Sequence, residues 1–346
     1  MKLITTASYY GTGSSAITDL LSEYNNVASL PSDFECRIAH DMFGLSDLEY
    51  YLIENYHRHN SSVAIKMFKR LMELYGDNKY LKMENYPRYL GSSFIEAYKQ
   101  YIKKIAPITY QGGSHSDIYM KSDLFIFLLK IKERIFHRFH KYKISVNDDS
   151  WFQKKETPYE KACKRELSYI TYPREIFLDA TKEFTRDMFA SLNQEGKEFL
   201  MIDQLVPPTN TMRYCQYFDD LKVVAVDRDP RDLYYLEKYY WRGNVIPTEA
   251  DAFIEWYKAT RAHKQYEKDD KDKVLRINFE ELVFNYEELV PIIEQFIGLN
   301  SANHVTFQKV FNPNISKGNI GKWRSDKSEF NNISKIENSL SELCLK

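Results

Sequence analysis

The apolar residues of this chain follow two arrangements, and each predicts one kind of secondary structure. Short apolar or β-branched runs, which predict buried strands, occur near the start of the chain and again in its last third. They cover residues 3–7, 27–30, 199–202, 221–226 and 274–279. Most of them lead into a polar loop or into apolar residues at helical spacing. This alternation predicts an α/β fold with a parallel central sheet flanked by helices.

The middle of the chain, residues 71–194, has a different pattern. Apolar residues recur there every three or four positions, from Phe94 to Ile102 and again from Leu124 to Phe139, as on one face of a helix. We therefore predict a large helical insertion without strands, and we expect it to bind the acceptor. Residues 1–70 and 195–330 would form the α/β core, with 331–346 as a C-terminal tail. Residues 45–58 fit a helix, and residues 63–68 fit either a strand or the start of a helix.

A basic segment lies within this insertion. Residues 130–143 contain six Lys or Arg, two His and one Glu. Such a segment suits an anionic glycan, lipid headgroups or phosphate. It also fits a solvated helix face whose Ile and Phe side chains pack inward. Peripheral membrane contact is thus left open, whereas the longest apolar run, residues 124–129, is too short to cross a bilayer.

The charge balance and the cysteines of the chain argue against some classes of function. With 48 Lys and Arg against 49 Asp and Glu, the net charge is close to zero, so bulk charge does not favour nucleic-acid binding. The four cysteines are far apart and lack metal-ligand spacing, so we predict free thiols and no metal site. Because the first predicted strand begins almost at Met1, we expect no signal peptide and a cytoplasmic protein.

The turn after the first predicted strand has the composition of a phosphate-binding loop. Gly11, Thr12, Gly13, Ser14 and Ser15 join that strand to a predicted helix. Backbone N–H groups and the positive end of the helix would face one point, and the glycines would let a phosphate come close. The loop lacks the Gly-Lys-Ser/Thr of a Walker sequence, which argues against a triphosphate held with magnesium.

Two later segments carry cations that suit phosphate. Arg228 follows the strand at 221–226, and it should project from the strand end into the ligand crevice. Its neighbours Asp229 and Pro230 fit the N-cap and first position of a helix instead. The second segment, residues 317–324 (KGNIGKWR), combines three cations, two glycines and one tryptophan. Its glycines allow a close approach of the backbone.

Three acid–base groups follow predicted strands. Glu35 and His40 lie in the loop after the second strand, and Asp203 directly follows the strand at 199–202. Open α/β sheets bind ligands beyond the carboxyl ends of their strands, so all three are candidate general bases. The alternative interpretation of Glu35 and His40, and the more common case for such residues, is an ordinary charged surface loop.

Together, the phosphate-binding loop, the Arg228 turn and residues 316–324 resemble the sulfotransferases that use 3′-phosphoadenosine 5′-phosphosulfate (PAPS), of the bacterial carbohydrate type. A fourth similarity lies in residues 278–282 (NFEEL) and 296–299 (FIGL), which resemble a strand end and a helix end of that family. The resemblance covers about the first 30 residues and residues 195–325. The middle third matches none of the family's motifs.

The resemblance implies a P-loop-like α/β fold. It also implies transfer of a sulfuryl group from PAPS to a hydroxyl or amine, on a glycan or another small-molecule acceptor, without a metal. Ser14 and Ser15 would bind the 5′-phosphate, and Arg228 and Lys317 the 3′-phosphate. The full set of implied cofactor-binding residues is Gly11, Thr12, Gly13, Ser14, Ser15, Ala16, Arg228, Lys317, Gly318 and Asn319. The catalytic candidates are Glu35, His40, Asp203 and Lys317, with Glu35 the first choice as base.

The phosphate-binding loop departs from the family pattern. Gly11 stands where that family usually has a Lys or Arg, a cation that stabilises charge on the leaving phosphate. If the protein is an active enzyme, another cation must reach this point. Lys317, Lys66 and Lys322 are the candidates, in that order.

Two further positions depart from the pattern. Leu236 replaces a serine that the family commonly has eight residues after the 3′-phosphate arginine, so Tyr234 or Tyr235 would have to supply the hydroxyl. Ser316 stands where an arginine is usual. These departures leave two rival functions open. One is a nucleotide-dependent kinase, and the other is a degenerate protein that binds adenosine 3′,5′-bisphosphate or a partner without turnover.

Overall fold

The computed structural model of the chain describes residues 1–31, 34–115, 118–119, 121–139, 156–169 and 172–345. Five parallel strands form a central sheet in the order β2-β5-β1-β6-β7, and an antiparallel pair, β3 and β4, forms a second sheet. The strands are β1 (Lys2–Ser8), β2 (Val27–Ser29), β3 (Thr109–Gly113), β4 (Lys164–Ser168), β5 (Phe199–Met201), β6 (Leu221–Asp227) and β7 (Val274–Asn278).

Helices cover both faces of the central sheet and form most of the middle of the chain. Those with α-helical geometry are α1 (Ser14–Ser22), α2 (Leu45–Glu49), α3 (Arg58–Met72), α4 (Tyr86–Leu90), α5 (Ser93–Ile105), α6 (Asp123–Phe139), α7 (Pro158–Cys163), α8 (Arg174–Met188), α9 (Thr211–Cys215), α10 (Pro230–Leu236), α11 (Ala250–Arg261), α12 (Phe279–Phe284), α13 (Tyr286–Ile297), α14 (Pro313–Ser316) and α15 (Phe330–Ser339). Wider turns continue α2 to Glu54, α3 to Asp77 and α10 to Trp241.

The predicted α/β fold class is confirmed. The five apolar runs form the five strands of the central sheet, and each pairs in parallel with its neighbours. The ambiguous residues 63–68 are helical and lie within α3, because the buried side chains Ala64, Ile65, Phe68 and Leu71 follow helical spacing.

The prediction that residues 71–194 contain no strand is wrong, because β3 and β4 pair there from Thr109 with Ser168 to Gly113 with Lys164. Most residues of this pair are exposed or only partly buried. No buried face therefore imposes the alternation of apolar and polar residues that marks a strand in a sequence.

Side chains of the central sheet alternate between two hydrophobic cores. Val223 and Ala225 of β6 pack on one face, with residues of α3, α5 and α8. Val224 and Val226 pack on the other face, with residues of α1, α12 and α13. Helices α5 and α8 belong to the 71–194 insertion, so part of the insertion is built directly onto the core of the sheet.

Another part of the insertion forms a satellite cluster, in which Ile118, Leu129 of α6 and Cys163 of α7 are buried. The apolar stripe predicted on α6 faces outward. Leu124, Leu128, Ile131, Ile135 and Phe139 are between 36% and 76% exposed. The interpretation in which the Ile and Phe side chains of the basic segment pack inward is therefore wrong for Ile131, Ile135 and Phe139. Residues 140–143 of that segment lie outside the described residues.

The strand order determines where a ligand can bind. The chain leaves β1 toward β2 on one side of the sheet and leaves β6 toward β7 on the other side, so the connections diverge between these two neighbouring strands. A crevice forms beyond the carboxyl ends of strands at such a switch point. The loop after β1 and the turn after β6 border it.

Candidate active site

A cleft of about 860 Å³ lies at this switch point. Residues from the phosphate-binding loop, the loop after β2, and the ends of β5 and β6 all line it. Residues from Ser8 to Asn319 are thus brought together. The residues predicted from the sequence that line the cleft are Gly11, Gly13, Ser14, Ser15, Ala16, Glu35, His40, Asp203, Arg228 and Asn319.

The phosphate-binding loop is held by its own threonine. Thr12 is buried, and its hydroxyl accepts from the N–H of Tyr9 at 3.2 Å and donates to the carbonyl of Val226 at 2.7 Å. Thr12 therefore ties the loop to β6 and does not line the cleft. Gly13 is the N-cap of α1, with a left-handed φ of 100°. The first N–H groups of a helix have no partners within the helix, and here they lie at the cleft.

Both loop glycines have an aromatic ring in close contact. A Cβ atom at Gly11 would lie 2.6 Å from Trp241, and one at Gly13 would lie 2.6 Å from Phe279. The two rings line the cleft and leave space only for glycine beside them. Trp241 lies at the end of the turn that follows α10, and nothing in the sequence around it indicates that it reaches the loop.

Gln204 joins three parts of the site. Its side-chain amide donates to the hydroxyl of Ser8 at 2.6 Å and to that of Ser14 at 3.3 Å, while its backbone carbonyl accepts from His40 Nε2 at 2.8 Å. The residue has a left-handed φ of 57°, which is uncommon for a residue with a side chain. Sequence reasoning did not identify Gln204 as a site residue.

Glu35 and Asp203 are neighbours. The two residues form an isolated parallel β-bridge, in which the N–H of Cys36 donates to the carbonyl of Asp203 at 3.0 Å. The Asp203 side chain is buried and accepts a hydrogen bond from the hydroxyl of Thr6. Burial, and then the nearby charge of Glu35, raise the pKa of Asp203 to about 8. Asp203 is thus mainly protonated at neutral pH.

Glu35 is a more accessible carboxylate. Its side chain is 44% exposed and lines the cleft, and one oxygen pairs with Arg37 at 3.1 Å. Arg37 also pairs with Glu84 at 3.1 Å and lines the cleft. Sequence reasoning missed Arg37, whose position in a loop of mixed charges gave no sign that it faces the site.

His40 lies at the other end of the same loop. Because the carbonyl of Gln204 can only accept, His40 Nε2 must carry the proton, which leaves Nδ1 as the acceptor atom of the ring. Burial lowers the pKa of the imidazole below its ordinary value of 6.5. His40 is therefore neutral at pH 7, in the state that can accept a proton.

Arg228 lies at the end of β6, as predicted. It is 5% exposed, one guanidinium nitrogen donates to the carbonyl of Asn319 at 2.8 Å, and Nε is buried without a partner among the described residues. The carboxylate of Glu280 lies 3.9 Å from Nε, and the ring of Phe279 lies 4.5 Å from the guanidinium carbon. Burial lowers the pKa of this guanidinium, a direction that an added anion beside it would oppose.

The segment 316–324 reaches the cleft in part. Ser316 and Asn319 line it, whereas Lys317 and Gly318 are exposed and lie outside its lining. The N–H of Gly321 donates to Asp232 at 2.7 Å, which ties the segment to α10. Trp323 packs partly against the cluster formed by α10, α11 and α15.

The other residues predicted to replace the missing loop cation and the missing serine hydroxyl do not line the cleft. Lys322 stacks on the ring of Tyr240, and neither it nor Lys66 lines the cleft. The hydroxyls of Tyr234 and Tyr235 bond carboxylates of the segment after residue 325 rather than facing the cleft. Among the described residues, no group of three His, Cys, Asp or Glu side chains is placed to hold a metal ion, and no helix is long and apolar enough to cross a membrane.

No protein-family model matches this sequence, and no curated protein matches it. Three solved structures resemble its fold at low identity. The sulfotransferase domain from the Synechococcus PCC 7002 olefin synthase is 14% identical, with 97% of this chain and 93% of that chain covered and a TM-score of 0.39. The sulfotransferase domain from the curacin biosynthetic pathway is 11% identical, with coverage of 99% and 96% and a TM-score of 0.42. Sulfotransferase STF1 from Mycobacterium tuberculosis H37Rv is 10% identical, with coverage of 92% and 76% and a TM-score of 0.31. At these scores, the site's own residues must carry any argument about function.

Proposed function

We propose that this protein is a PAPS-dependent sulfotransferase that moves a sulfuryl group to a hydroxyl or amine of a carbohydrate-type acceptor. The observation that carries the proposal is the meeting of three separate phosphate-type elements in one cleft. These are the glycine-serine loop at the start of α1, Arg228 at the end of β6, and Asn319 of the segment 316–324. Their resemblance to one family in sequence and their common location support the same function.

The cleft suits a nucleotide with two phosphate groups. The N-terminus of α1, with the hydroxyls of Ser14 and Ser15, would bind the 5′-phosphate group. Arg228 would bind the 3′-phosphate, and its Nε, which has no hydrogen-bond partner among the described residues, is a donor that a phosphate oxygen would satisfy. Burial raises the pKa of Asp203 to about 8, which reduces the negative charge that the cleft turns toward a phosphate.

The reaction needs a base for the acceptor proton as the acceptor attacks sulfur. Glu35 is best suited to that role, since its carboxylate lines the cleft, is 44% exposed and forms an ion pair with Arg37. Asp203, protonated at neutral pH, would donate a hydrogen bond instead. His40 would hold the acceptor through Nδ1. PAPS, when bound, supplies the sulfuryl group.

The acceptor assignment rests on the aromatic side chains of the cleft. Tyr10 and Trp241 line it and are both more than 40% exposed, so each presents part of a ring face to solvent. Such amphipathic rings suit a ligand that is apolar on its faces and polar at its edges, as a sugar ring is. A glycan or another small polar acceptor fits this surface.

The site differs from the family pattern in the group that would stabilise the charge on the leaving phosphate. Among the described residues, no lysine lines the cleft, and Arg37 and Arg228 are the arginines that do. Within the described part of the chain, Arg37 is thus the cation that could replace the missing loop lysine. A ligand would compete for it with the carboxylates of Glu35, Asp41 and Glu84. If Arg37 does not reach the phosphate, nucleotide binding without turnover is the alternative that this observation favours.

Calorimetric titration with adenosine 3′,5′-bisphosphate, AMP and magnesium-ATP tests the proposal. We expect the bisphosphate to bind at least about tenfold more tightly than AMP, because it makes an additional charge-assisted contact. Equal binding of the two would contradict the assignment. Magnesium-dependent binding of ATP, with none of the bisphosphate, would favour a kinase. Bisphosphate binding without sulfuryl transfer to a panel of mono- and disaccharides would favour the degenerate protein.

A further inference from the structure

Helix α6 is apolar on two sides. Ile126 and Leu129 pack inward on the satellite cluster with Ile118 and Cys163. On the opposite side, the outer stripe (Leu124, Leu128, Ile131, Ile135 and Phe139) is spaced by three or four positions and is between 36% and 76% exposed. A helix with apolar residues around most of its circumference is usually covered on every side. The outer stripe is therefore a surface that a partner should cover.

Cations border this outer stripe. Lys130, Arg134 and Arg138 are four positions apart and form a row along one flank, and Lys132 lies on the other flank. All four are exposed. The acidic residues of the helix are Asp123, at its first position, and Glu133. The Glu133 carboxylate accepts from the N–H of Tyr159 at 2.9 Å, on the packed side.

An apolar stripe with cations beside it identifies the class of partner. A polar glycan would satisfy the cations but would gain little from exposed leucine and isoleucine. A second copy of this chain would cover the stripe but would bring two rows of like charge together, which is unfavourable. A bilayer surface containing anionic lipids satisfies both features, with acyl chains for the stripe and headgroups for the cations.

We propose that α6 is a membrane-surface helix, which lies flat on anionic lipid with its outer stripe inserted among the headgroups and acyl chains. Its 17 residues extend about 26 Å along the surface. Tyr119, which precedes the helix and is 78% exposed, would lie at the interface, where tyrosine is favoured. This interaction concerns a surface distinct from the cleft and does not depend on the function proposed above.

Vesicle co-sedimentation with the full-length protein tests the proposal. One set of vesicles contains phosphatidylcholine alone and the other an equimolar mixture with phosphatidylserine. We expect binding to the mixed vesicles that weakens as salt is raised. Lys130→Gln/Arg134→Gln/Arg138→Gln should weaken it about 100-fold, at about fivefold for each cation removed. Leu124→Gln/Ile135→Gln should weaken it by at least about tenfold, because both side chains leave the apolar phase.

Matched variants separate this surface from general effects. Lys99→Gln/Lys103→Gln/Lys309→Gln removes the same charge at exposed positions elsewhere, and Ile176→Gln/Ile292→Gln replaces two isoleucines of similar exposure on α8 and α13. Both controls should bind like the wild type.

Several results would overturn the proposal. The first is that the wild type does not bind the mixed vesicles. The second is that the stripe and cation variants bind them as well as the controls do. The third is that light scattering shows a dimer that the stripe variant abolishes, while the wild type does not bind vesicles. Circular dichroism of each variant confirms that α6 is still folded.

Discussion

The side-chain amide of Gln204 donates to the hydroxyl of Ser8 over 2.6 Å, which joins the end of β5 to the end of β1 beside the phosphate-binding loop. A weaker contact, at 3.3 Å, reaches Ser14 at the start of α1. The same residue accepts from His40 through its backbone. One residue thus connects the proposed phosphate site, through its side chain, to the loop that contains the proposed base, through its backbone.

Removal of that amide should loosen the loop. We predict that Gln204→Ala weakens adenosine 3′,5′-bisphosphate binding about tenfold, since two neutral hydrogen bonds at about 1 kcal/mol or less each are lost. Isothermal titration calorimetry measures the change. Gln308→Ala is a matched control, because Gln308 also has a left-handed φ, of 54°, and lies outside the cleft. Equal loss in both variants would attribute the effect to backbone strain.

Replacement of Arg228 should remove the preference for a 3′-phosphate. We expect Arg228→Ala to weaken bisphosphate binding about ten- to a hundredfold, from the loss of about 1.5–3 kcal/mol, and to leave AMP binding nearly unchanged. Competition titration with the two nucleotides measures the ratio.

Because Arg228→Ala leaves the buried carboxyl of Glu280 without its nearby cation, the variant Arg228→Ala/Glu280→Gln is the control for folding. A double variant that folds and still prefers the bisphosphate would exclude Arg228 as the 3′-phosphate ligand.

Glu35→Gln should abolish most of the turnover. A positioned general base contributes about a hundred- to ten-thousandfold, so we predict a loss of that size with bisphosphate affinity intact. At neutral pH, Asp203→Asn should retain turnover, because Asp203 is already protonated there. Sulfuryl transfer assays on Glu35→Gln, His40→Asn and Asp203→Asn compare the three candidates.

Glu84→Gln is the matched control for the base, because Glu84 pairs with the same Arg37 at 3.1 Å, has similar exposure and does not line the cleft. If Glu84→Gln loses as much turnover as Glu35→Gln, both variants act by releasing Arg37. Normal turnover in Glu35→Gln would exclude Glu35 as the base.

Asp203 should make stability depend on pH. Folding raises the pKa of its carboxyl from an ordinary 3.8 to about 8, so the native state keeps a proton that the unfolded chain releases. The contribution of this group to the free energy of unfolding is complete below the unfolded pKa and is lost as pH rises through the folded pKa. We predict that Asp203→Asn, which keeps an oxygen for Thr6, gains stability relative to the wild type as pH rises from about 5 to about 9.

Urea unfolding at several pH values measures this difference. Asp187→Asn, at an exposed carboxyl of α8, should show no such trend. A constant difference between wild type and Asp203→Asn would place the Asp203 pKa outside this range.

The sequence predicted the central sheet well because burial on both faces of a parallel strand requires an uninterrupted apolar run. Residues 223–226 are an example, since β6 has neighbours on both sides and cores on both faces. The pair β3 and β4 has mostly exposed residues and so left no such pattern. The sequence also could not predict which side of α6 faces the solvent. Periodicity identifies an apolar stripe, but it does not show whether the stripe faces the core or the solvent.

The candidate site was predicted in part. Glycine, serine and arginine at strand ends are recognisable because backbone geometry restricts where they occur. Ten predicted residues, among them Gly11, Gly13, Ser14, Ser15 and Arg228, line one cleft. Gln204 and Trp241 were not identified, since each reaches the phosphate-binding loop through a contact between residues far apart in the sequence. Arg37 was missed because nothing distinguishes it from the other charged residues of its loop. The roles of all these residues stay predictions, which the binding and transfer experiments above test.

The contact between Trp241 and Gly11 also constrains how the site can evolve. A lysine at position 11 would have to adopt a φ of 67° and displace an indole that would lie 2.6 Å from its Cβ atom. That single substitution should therefore destabilise the fold before it could assist a reaction. If a smaller residue first replaced Trp241, most of the steric part of this cost would be removed, and a 3.3 Å contact with Leu233 would remain. The two positions should show strong epistasis, and the order of the mutations would decide whether a lineage can regain a loop cation.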